Sequence, residues 1–210
     1  MEIKALKAFT IRDSETGNLS SIAHGAIAEV SSALGESLIA DGLAEKVVVD
    51  ASFKALVEDT ITAVTSDMLD GVKKINEYAF YECVLLKSVE IPSSVTRICS
   101  RAFSSCRSLE SITISNSVTE IQTQVFYACP FKSITIPSSV SSIGMYCFDS
   151  CTQLENVTVK RTTPPTLGSE AFSNNSRNLV IYVPSESVDT YKAASGWSTY
   201  ADKIQAIPNE

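Results

Sequence analysis

Apolar residues return along most of this chain with a period far longer than that of any helix or strand. Phe80, Phe103, Phe126, Phe148 and Phe172 follow one another at steps of 23, 23, 22 and 24 residues. The same order of apolar and polar positions recurs around each, as in "VTRICSRAFSSCRSLESITI", "VTEIQTQVFYACPFKSITI" and "VSSIGMYCFDSCTQLENVTV". Self-similarity on this scale predicts a stack of coils. Each unit ends in an alternation such as Ile112-Thr113-Ile114 or Ile134-Thr135-Ile136, the period of a half-buried strand, so stacked units should pair these strands in parallel. Pro92 and Pro137 open Pro-Ser-Ser turns after two of them, because proline fixes φ and lends no hydrogen to a ladder. Around Ala-Phe-x-x-Cys the apolar residues stand three apart, which predicts one turn of helix. A single coil cannot cover its own Phe, Leu and Ile; its neighbours must. Burial of each Phe contributes about 1.5–3 kcal/mol, and five stacked rings should form the spine.

The order V-x-x-I, A-F-x-x-C, I-x-I-P, found in several copies between residues 68 and 183, resembles the leucine-rich repeats of the BspA-like type, found in many bacterial surface and gut-associated proteins. The resemblance implies an α/β repeat fold: a right-handed leucine-rich-repeat solenoid of about five coils with a parallel sheet, used for protein binding. Two units depart from the pattern. The third is one residue short near Pro130-Phe131, and the fifth puts Asn175 where the others have Cys and opens with Pro164-Pro165. Residues 184–210 look like the terminal element that follows such repeats. Ser185 can begin a helix, Val188, Tyr191 and Ala194 share a stripe, and Gly196 suits a helix end. Trp197 and Tyr200 should then cover the last coil, whose apolar end and strand edge need a cap.

No copy of the repeat precedes Met68. Residues 3–9 alternate as a strand, "LSSIAHGAIAEV" reads as short strands about Gly25, "ALGESLIADG" as a helix after Ser31, and "LAEKVVVD" as a strand. Residues 1–50 are thus expected to be a small β-β-α-β N-terminal module. Residues 51–67 are expected to be a linker or a capping helix with Phe53, Leu56, Val57 and Ile61 on one face. The string from Gly25 to Glu45 resembles an N-terminal element of some bacteriophage structural and head-associated proteins. That likeness implies a virion attachment module carrying a binding solenoid.

With 44% hydrophobic residues and a net charge of -7, the chain reads as globular and lacks the basic surface that nucleic-acid binding requires. Neither a signal-peptide h-region nor an apolar stretch long enough to span a bilayer occurs. The expectation is therefore a virion-associated or cytoplasmic protein, at the cell surface only by a non-Sec route, with six free thiols. Cys83, Cys106, Cys129 and Cys151 fall once per unit, without the paired spacing of zinc sites, and are expected to stack as small buried hydrophobes. Cys99 and Cys147 look incidental. His24 is the single histidine, no nucleophile motif accompanies it, and Asp13, Glu15, Asp41, Glu58 and Asp59 read as surface charges. No cofactor or metal is expected.

A stack of this kind binds through outward residues that vary while inward ones hold the coils. Ser111, Thr113, Ser133 and Thr135 form a small polar ladder on the strand face. Tyr81, Tyr127 and Tyr146, with Arg97 and Arg101, are the residue types that concentrate binding energy. The sequence thus predicts a non-enzymatic interaction protein whose partner is a protein or surface glycoconjugate. Two settings are open: a phage or prophage virion-associated protein recognising a host surface molecule, and a BspA-like bacterial adhesin binding host proteins. A hydrolase using His24 is the remaining alternative.

Overall fold

The computed structural model describes residues 62–69 and 71–208, together with the backbone of four strands nearer the N-terminus. Those four are β1 (Glu2–Lys4), β2 (Phe9–Arg12), β3 (Leu19–Ile22) and β4 (Ile27–Glu29). They pair antiparallel, β1 with β4 and β2 with β3. Where the alternation predicts one strand over 3–9, the described strands are Glu2–Lys4 and Phe9–Arg12. The helix and strand expected between residues 31 and 50, the helical face of Phe53 to Ile61, His24 and the five N-terminal carboxylates lie outside the described residues.

From residue 62 the chain winds into coils. Each coil contributes a long strand: β5 (Ala63–Val64), β7 (Ser88–Ile91), β9 (Ser111–Ile114), β11 (Ser133–Ile136), β13 (Asn156–Val159) and β15 (Val180–Val183). A two-residue strand follows each of the first five: β6 (Lys74–Ile75), β8 (Arg97–Ile98), β10 (Glu120–Ile121), β12 (Ser142–Ile143) and β14 (Thr166–Leu167). Both sets pair in parallel, and in register: Ser88 opposes Ser111, Ser133 opposes Asn156, and Ile75, Ile98, Ile121 and Ile143 form a row. The short-strand ladder is continuous, whereas the long-strand ladder is interrupted between β9 and β11. The interruption coincides with the shortened third unit. There Phe131 occupies the place of the Leu in other coils and is buried with its ring edge-on to Phe126, centroids 5.8 Å apart.

The five repeat phenylalanines form a stack. Centroids lie 4.9, 5.8, 5.5 and 5.1 Å apart from Phe80 to Phe172, with interplanar angles of 5°, 9°, 17° and 2°. All five are buried. The thiols form a second column beside them: Cys106, Cys129 and Cys151 donate their S–H to the carbonyls of Phe80, Phe103 and Phe126 at 3.0, 3.1 and 3.0 Å. Each of these carbonyls belongs to the preceding coil. The repeated cysteine is therefore a small hydrophobe that also satisfies a buried acceptor. Cys147 fills the small position before Phe148 that Ala79, Ala102 and Ala171 hold elsewhere, and is equally buried. All six cysteines are unbridged.

The segment around each Phe is not a turn of helix. The residues two before and two after every repeat phenylalanine, from Tyr78 and Glu82 to Glu170 and Asn174, adopt φ between 53° and 61°, and none is glycine. With a left-handed residue on each side of the Phe, every second N–H of this stretch points along the stack rather than around it. Tyr78, Phe80 and Glu82 donate to the carbonyls of Ser100, Ala102 and Ser104 in the next coil at 3.2, 2.7 and 2.9 Å, and the pattern repeats at later junctions. The intervening Ala79, Tyr81 and Cys83 donate within their own coil, three residues back. Each left-handed residue costs roughly 1–2 kcal/mol, and each inter-coil hydrogen bond returns roughly 1 kcal/mol. With two such residues and three such bonds per junction the terms nearly cancel, so burial of the rings decides the stability.

The last coil is closed by a helix, α1 (Val188–Ala193), a 3-10 segment Trp197–Lys203 and the strand β16 (Ile204–Ala206), which extends the ladder in parallel with β15. Val188 and Ala194 pack on the core and Tyr191 is buried. Gly196 turns the chain at φ 80° against the carbonyl of Leu167. Trp197 and Tyr200 lie against Phe172, continuing the aromatic column. The Tyr200 hydroxyl accepts the N–H of Phe172 at 3.2 Å, taking the place of the carbonyl that a further coil would supply. Trp197 Nε1 donates to the Pro165 carbonyl and the Tyr191 hydroxyl to that of Arg161, both at 2.7 Å.

Candidate binding surface

Because the inward positions are taken up by the core, what the coils can offer a partner is read from the outward rows. On the long-strand face Ser111, Thr113, Ser133 and Thr135 are exposed, alternating with buried Ile112, Ile114, Ile134 and Ile136. This face is flat, small-chained and uncharged at its centre. Along the turn after it runs a ladder of hydroxyls: Thr96, Thr119, Ser141 and Thr166 each donate to a carbonyl one coil earlier. Those groups are engaged in holding the stack.

On the short-strand face Arg97 pairs with Glu120 at 2.9 Å. Together with Lys74, Asn76, Glu77, Cys99 and Gln122 it borders a shallow open depression. Burial pushes the Cys99 thiol up, and the charges of Lys74 and Arg97 only partly oppose this. The thiol is therefore a poor nucleophile.

The third face is the ridge of left-handed residues. The positions two before each Phe line up as Tyr78, Arg101, Gln124, Tyr146 and Glu170. The Arg101 guanidinium lies over the Tyr78 ring with its Cζ 5.5 Å from the centroid, donates through Nη1 to the Tyr78 hydroxyl, and through Nε to Gln124 Oε1 at 2.8 Å. Tyr81 stands edge-on to Tyr78, 5.6 Å between centroids. Its hydroxyl is held above the ordinary phenol range by a hydrogen bond with Glu82 and by that carboxylate's charge. Farther along, Tyr146 donates to Glu170 at 3.3 Å, and the Glu170 charge with that bond raises its pKa likewise. Tyr127 is half-buried in the adjacent row.

The nine residues singled out from sequence thus occupy three faces. Arg101, Tyr81 and Tyr146 share the ridge with Tyr127 next to them, Arg97 is on the short strands, and the serines and threonines are on the long strands. Residues not picked out from sequence complete the row: Tyr78, Gln124 and Glu170; in the same coils Val84, Leu85 and Met145 are exposed apolar side chains. The signal available was register, since Tyr78 and Gln124 stand at the same distance from Phe as Arg101 and Tyr146.

Among the described residues, one side-chain amide has its polar atoms buried without a partner. Asn175 replaces the repeat cysteine in the fifth unit, and both polar atoms of its amide are buried without a hydrogen bond. In the neighbouring row the buried Asp149 accepts from Ser150 Oγ at 3.3 Å and Asn174 Nδ2 at 2.9 Å. Among the described residues no group of His, Cys, Asp and Glu could hold a metal ion, and no helix is long and apolar enough to cross a membrane.

A family model described as "BspA type Leucine rich repeat region (6 copies)" matches residues 73–194. Among solved structures, the T. pallidum leucine-rich repeat protein TpLRR aligns with a TM-score of 0.56 at 29% identity, over 71% of this chain and 70% of its own. The pneumococcal vaccine antigen PcpA aligns with a TM-score of 0.52 at 17% identity, over 71% of this chain but 41% of its own. It shares the fold, and this chain spans under half its length. A leucine-rich cell surface protein from Faecalibacterium prausnitzii A2-165 matches at TM-score 0.32 and 25% identity, over 50% of this chain and 41% of its own. No curated protein matches the chain in sequence. With the family pattern running through more than half of the sequence and its parallel coils built on one aromatic column, the chain belongs to the BspA-type leucine-rich repeat family.

Proposed function

We propose that this is a non-enzymatic interaction protein that binds other proteins through the outer surface of its solenoid. The observation that carries this reading is the division of labour within each coil. Phe, Cys, Ile and Leu repeat inward in fixed register, while the outward residue two before each Phe changes from Tyr to Arg, Gln, Tyr and Glu. A rigid frame with a variable outer row is how repeat proteins present an extended binding surface. The thiols, the most reactive groups of the repeat, are spent on packing and on carbonyls of the preceding coil. Of the three faces, the ridge has the Tyr, Arg and exposed apolar residues that concentrate binding energy.

Two biological settings accompany this proposal. Family membership favours a bacterial adhesin that meets host proteins at the cell surface. The likeness of residues 25–45 to phage structural proteins favours a virion component, with residues 1–50 as an attachment module and the solenoid facing a host surface molecule. Fractionation of producing cells separates them: envelope association supports the first, co-sedimentation with particles the second. The binding reading itself is tested by presenting the full chain to extracts of host surface proteins and identifying what is retained, beside a variant with Tyr78, Arg101 and Tyr146 all changed to Ala. Retention of one protein by the native chain, lost in the variant, is the expected result. No retention by either, or turnover of a host glycan or peptide lost on changing His24 to Ala, would refute it.

A further inference from the structure

We infer that the first two coils of the ridge form a receptor for a carboxylate side chain of a partner protein, with Arg101 as the anion-binding group. This rests on the protein-binding reading above. Two of the five guanidinium N–H donors of Arg101 are engaged, one by Gln124 Oε1 and one by the Tyr78 hydroxyl. Both partners are neutral. The ion pair given by the described residues in this region joins Arg97 to Glu120 instead, and among the described residues no carboxylate pairs with Arg101. The side chain is braced by two residues: the Gln124 amide, and Tyr78, whose hydroxyl accepts from Nη1 and whose ring centroid lies 5.5 Å from Cζ.

Three donors remain in the planar fork that matches a carboxylate. An arginine held in place by neutral groups loses little freedom when an anion arrives, so the interaction is pre-organised. Glu82 hydrogen-bonds Tyr81, which packs on Tyr78; a carboxylate at this end of the ridge repels a phosphate dianion more strongly than a singly charged side chain. The setting is also apolar. Tyr78, Val84 and Leu85, on the same coil, are exposed to 38%, 44% and 43%. A segment that alternates acidic and large apolar residues meets both features.

The test uses the isotope-labelled full chain and the peptide acetyl-Leu-Glu-Phe-Glu-Leu-amide, its twin with Gln for both Glu, and inorganic phosphate, followed by NMR titration. The Glu peptide should shift the Arg101 Nε–H and Tyr78 ring signals, and the Gln twin should bind about tenfold more weakly or less, as expected on losing a charge-assisted hydrogen bond. Arg101→Gln should abolish the difference between the peptides while leaving the thermal melt in place. Tyr78→Phe, which removes one brace but keeps the ring, should weaken the Glu peptide several-fold. Equal binding of the twins, or no shift with any probe, overturns the receptor. Displacement of the Glu peptide by phosphate at equal concentration overturns the choice of carboxylate. If the native chain retains a host protein and Arg101→Gln retains it equally, this inference fails while protein binding stands; if nothing is retained by either, the broader reading fails.

Discussion

Replacing Phe126 by alanine removes the centre of the aromatic column. The ring is fully buried, lies between Phe103 at 5.8 Å and Phe148 at 5.5 Å, and receives the edge of Phe131. Truncation of a buried phenylalanine costs about 3–5 kcal/mol where the site cannot collapse. Each lost aromatic pair adds about 0.5–1.5 kcal/mol beyond area. Three partners place Phe126→Ala near the top of the range, at about 5 kcal/mol. Phe131→Ala, with one aromatic neighbour, belongs near the bottom at about 3 kcal/mol. Phe126→Leu keeps most of the volume and should cost about 1.5–3 kcal/mol, mainly the stacking. The assay is urea unfolding followed by two probes, far-ultraviolet dichroism for the strands and fluorescence of Trp197, the single tryptophan, which reports the C-terminal end. Stability in such a stack is a sum of coils and nearest-neighbour interfaces. A central gap should therefore separate the transitions seen by the two probes, which should coincide in the native chain. Equal costs for the 126 and 131 truncations, or a loss below about 1 kcal/mol at Phe126, would refute the view that the column couples the coils.

Tyr200→Phe leaves the Phe172 N–H without its acceptor, so the Trp197 transition should lose about 1–3 kcal/mol while the dichroism of the sheet moves less. At Ala128, φ 55°, glycine relieves the left-handed strain, and Ala128→Gly should be neutral or stabilise by up to about 1 kcal/mol by urea titration, the reverse of glycine's usual effect; a loss of that size counts against the ridge geometry. A Cβ at Gly144 would stand 2.4 Å from the backbone of Gln122 and Thr123, so Gly144→Ala should lower the melting temperature by an amount equivalent to about 1–3 kcal/mol. Burial holds the thiols of Cys129, Cys147 and Cys151 above their usual range, Cys151 to about 12. Unfolded thiols release protons from about pH 8.5, so stability is whole below that pH and should fall by about 1.4 kcal/mol per pH unit per such thiol as pH rises toward the folded values. Urea midpoints measured from pH 7 to 10 check this, and a flat profile contradicts it.

The spine and its register were legible from the spacing of five phenylalanines and the Ile-x-Ile alternation, because burial on one side of a strand leaves a period of two in any sequence. The ridge was not. Apolar residues three apart suit a helical turn and a chain of tight turns equally. The left-handed positions carry Tyr, Glu, Arg, Ser, Gln, Ala and Asn, without the glycines that would have announced them. What selects the turns is the next coil's carbonyls, a long-range effect that no local window contains. For the same reason Arg101 could be picked out as a chemical type, while the bracing by Tyr78 and Gln124, each one coil away, could not.

The ridge also explains where the chain tolerates changes in length. From Ile75 to Phe80, Ile98 to Phe103, Ile121 to Phe126, Ile143 to Phe148 and Leu167 to Phe172 the separation is always five residues, and the following Cys or Asn175 is always three farther on. The missing residue of the third unit and the extra ones of the fifth lie elsewhere in the coil. Adding one residue inside this stretch would set donors against donors at two junctions, whereas duplicating a whole unit would set each donor against an acceptor. This scaffold therefore accepts exchanged side chains or entire added units, and does not accept a lengthened crest.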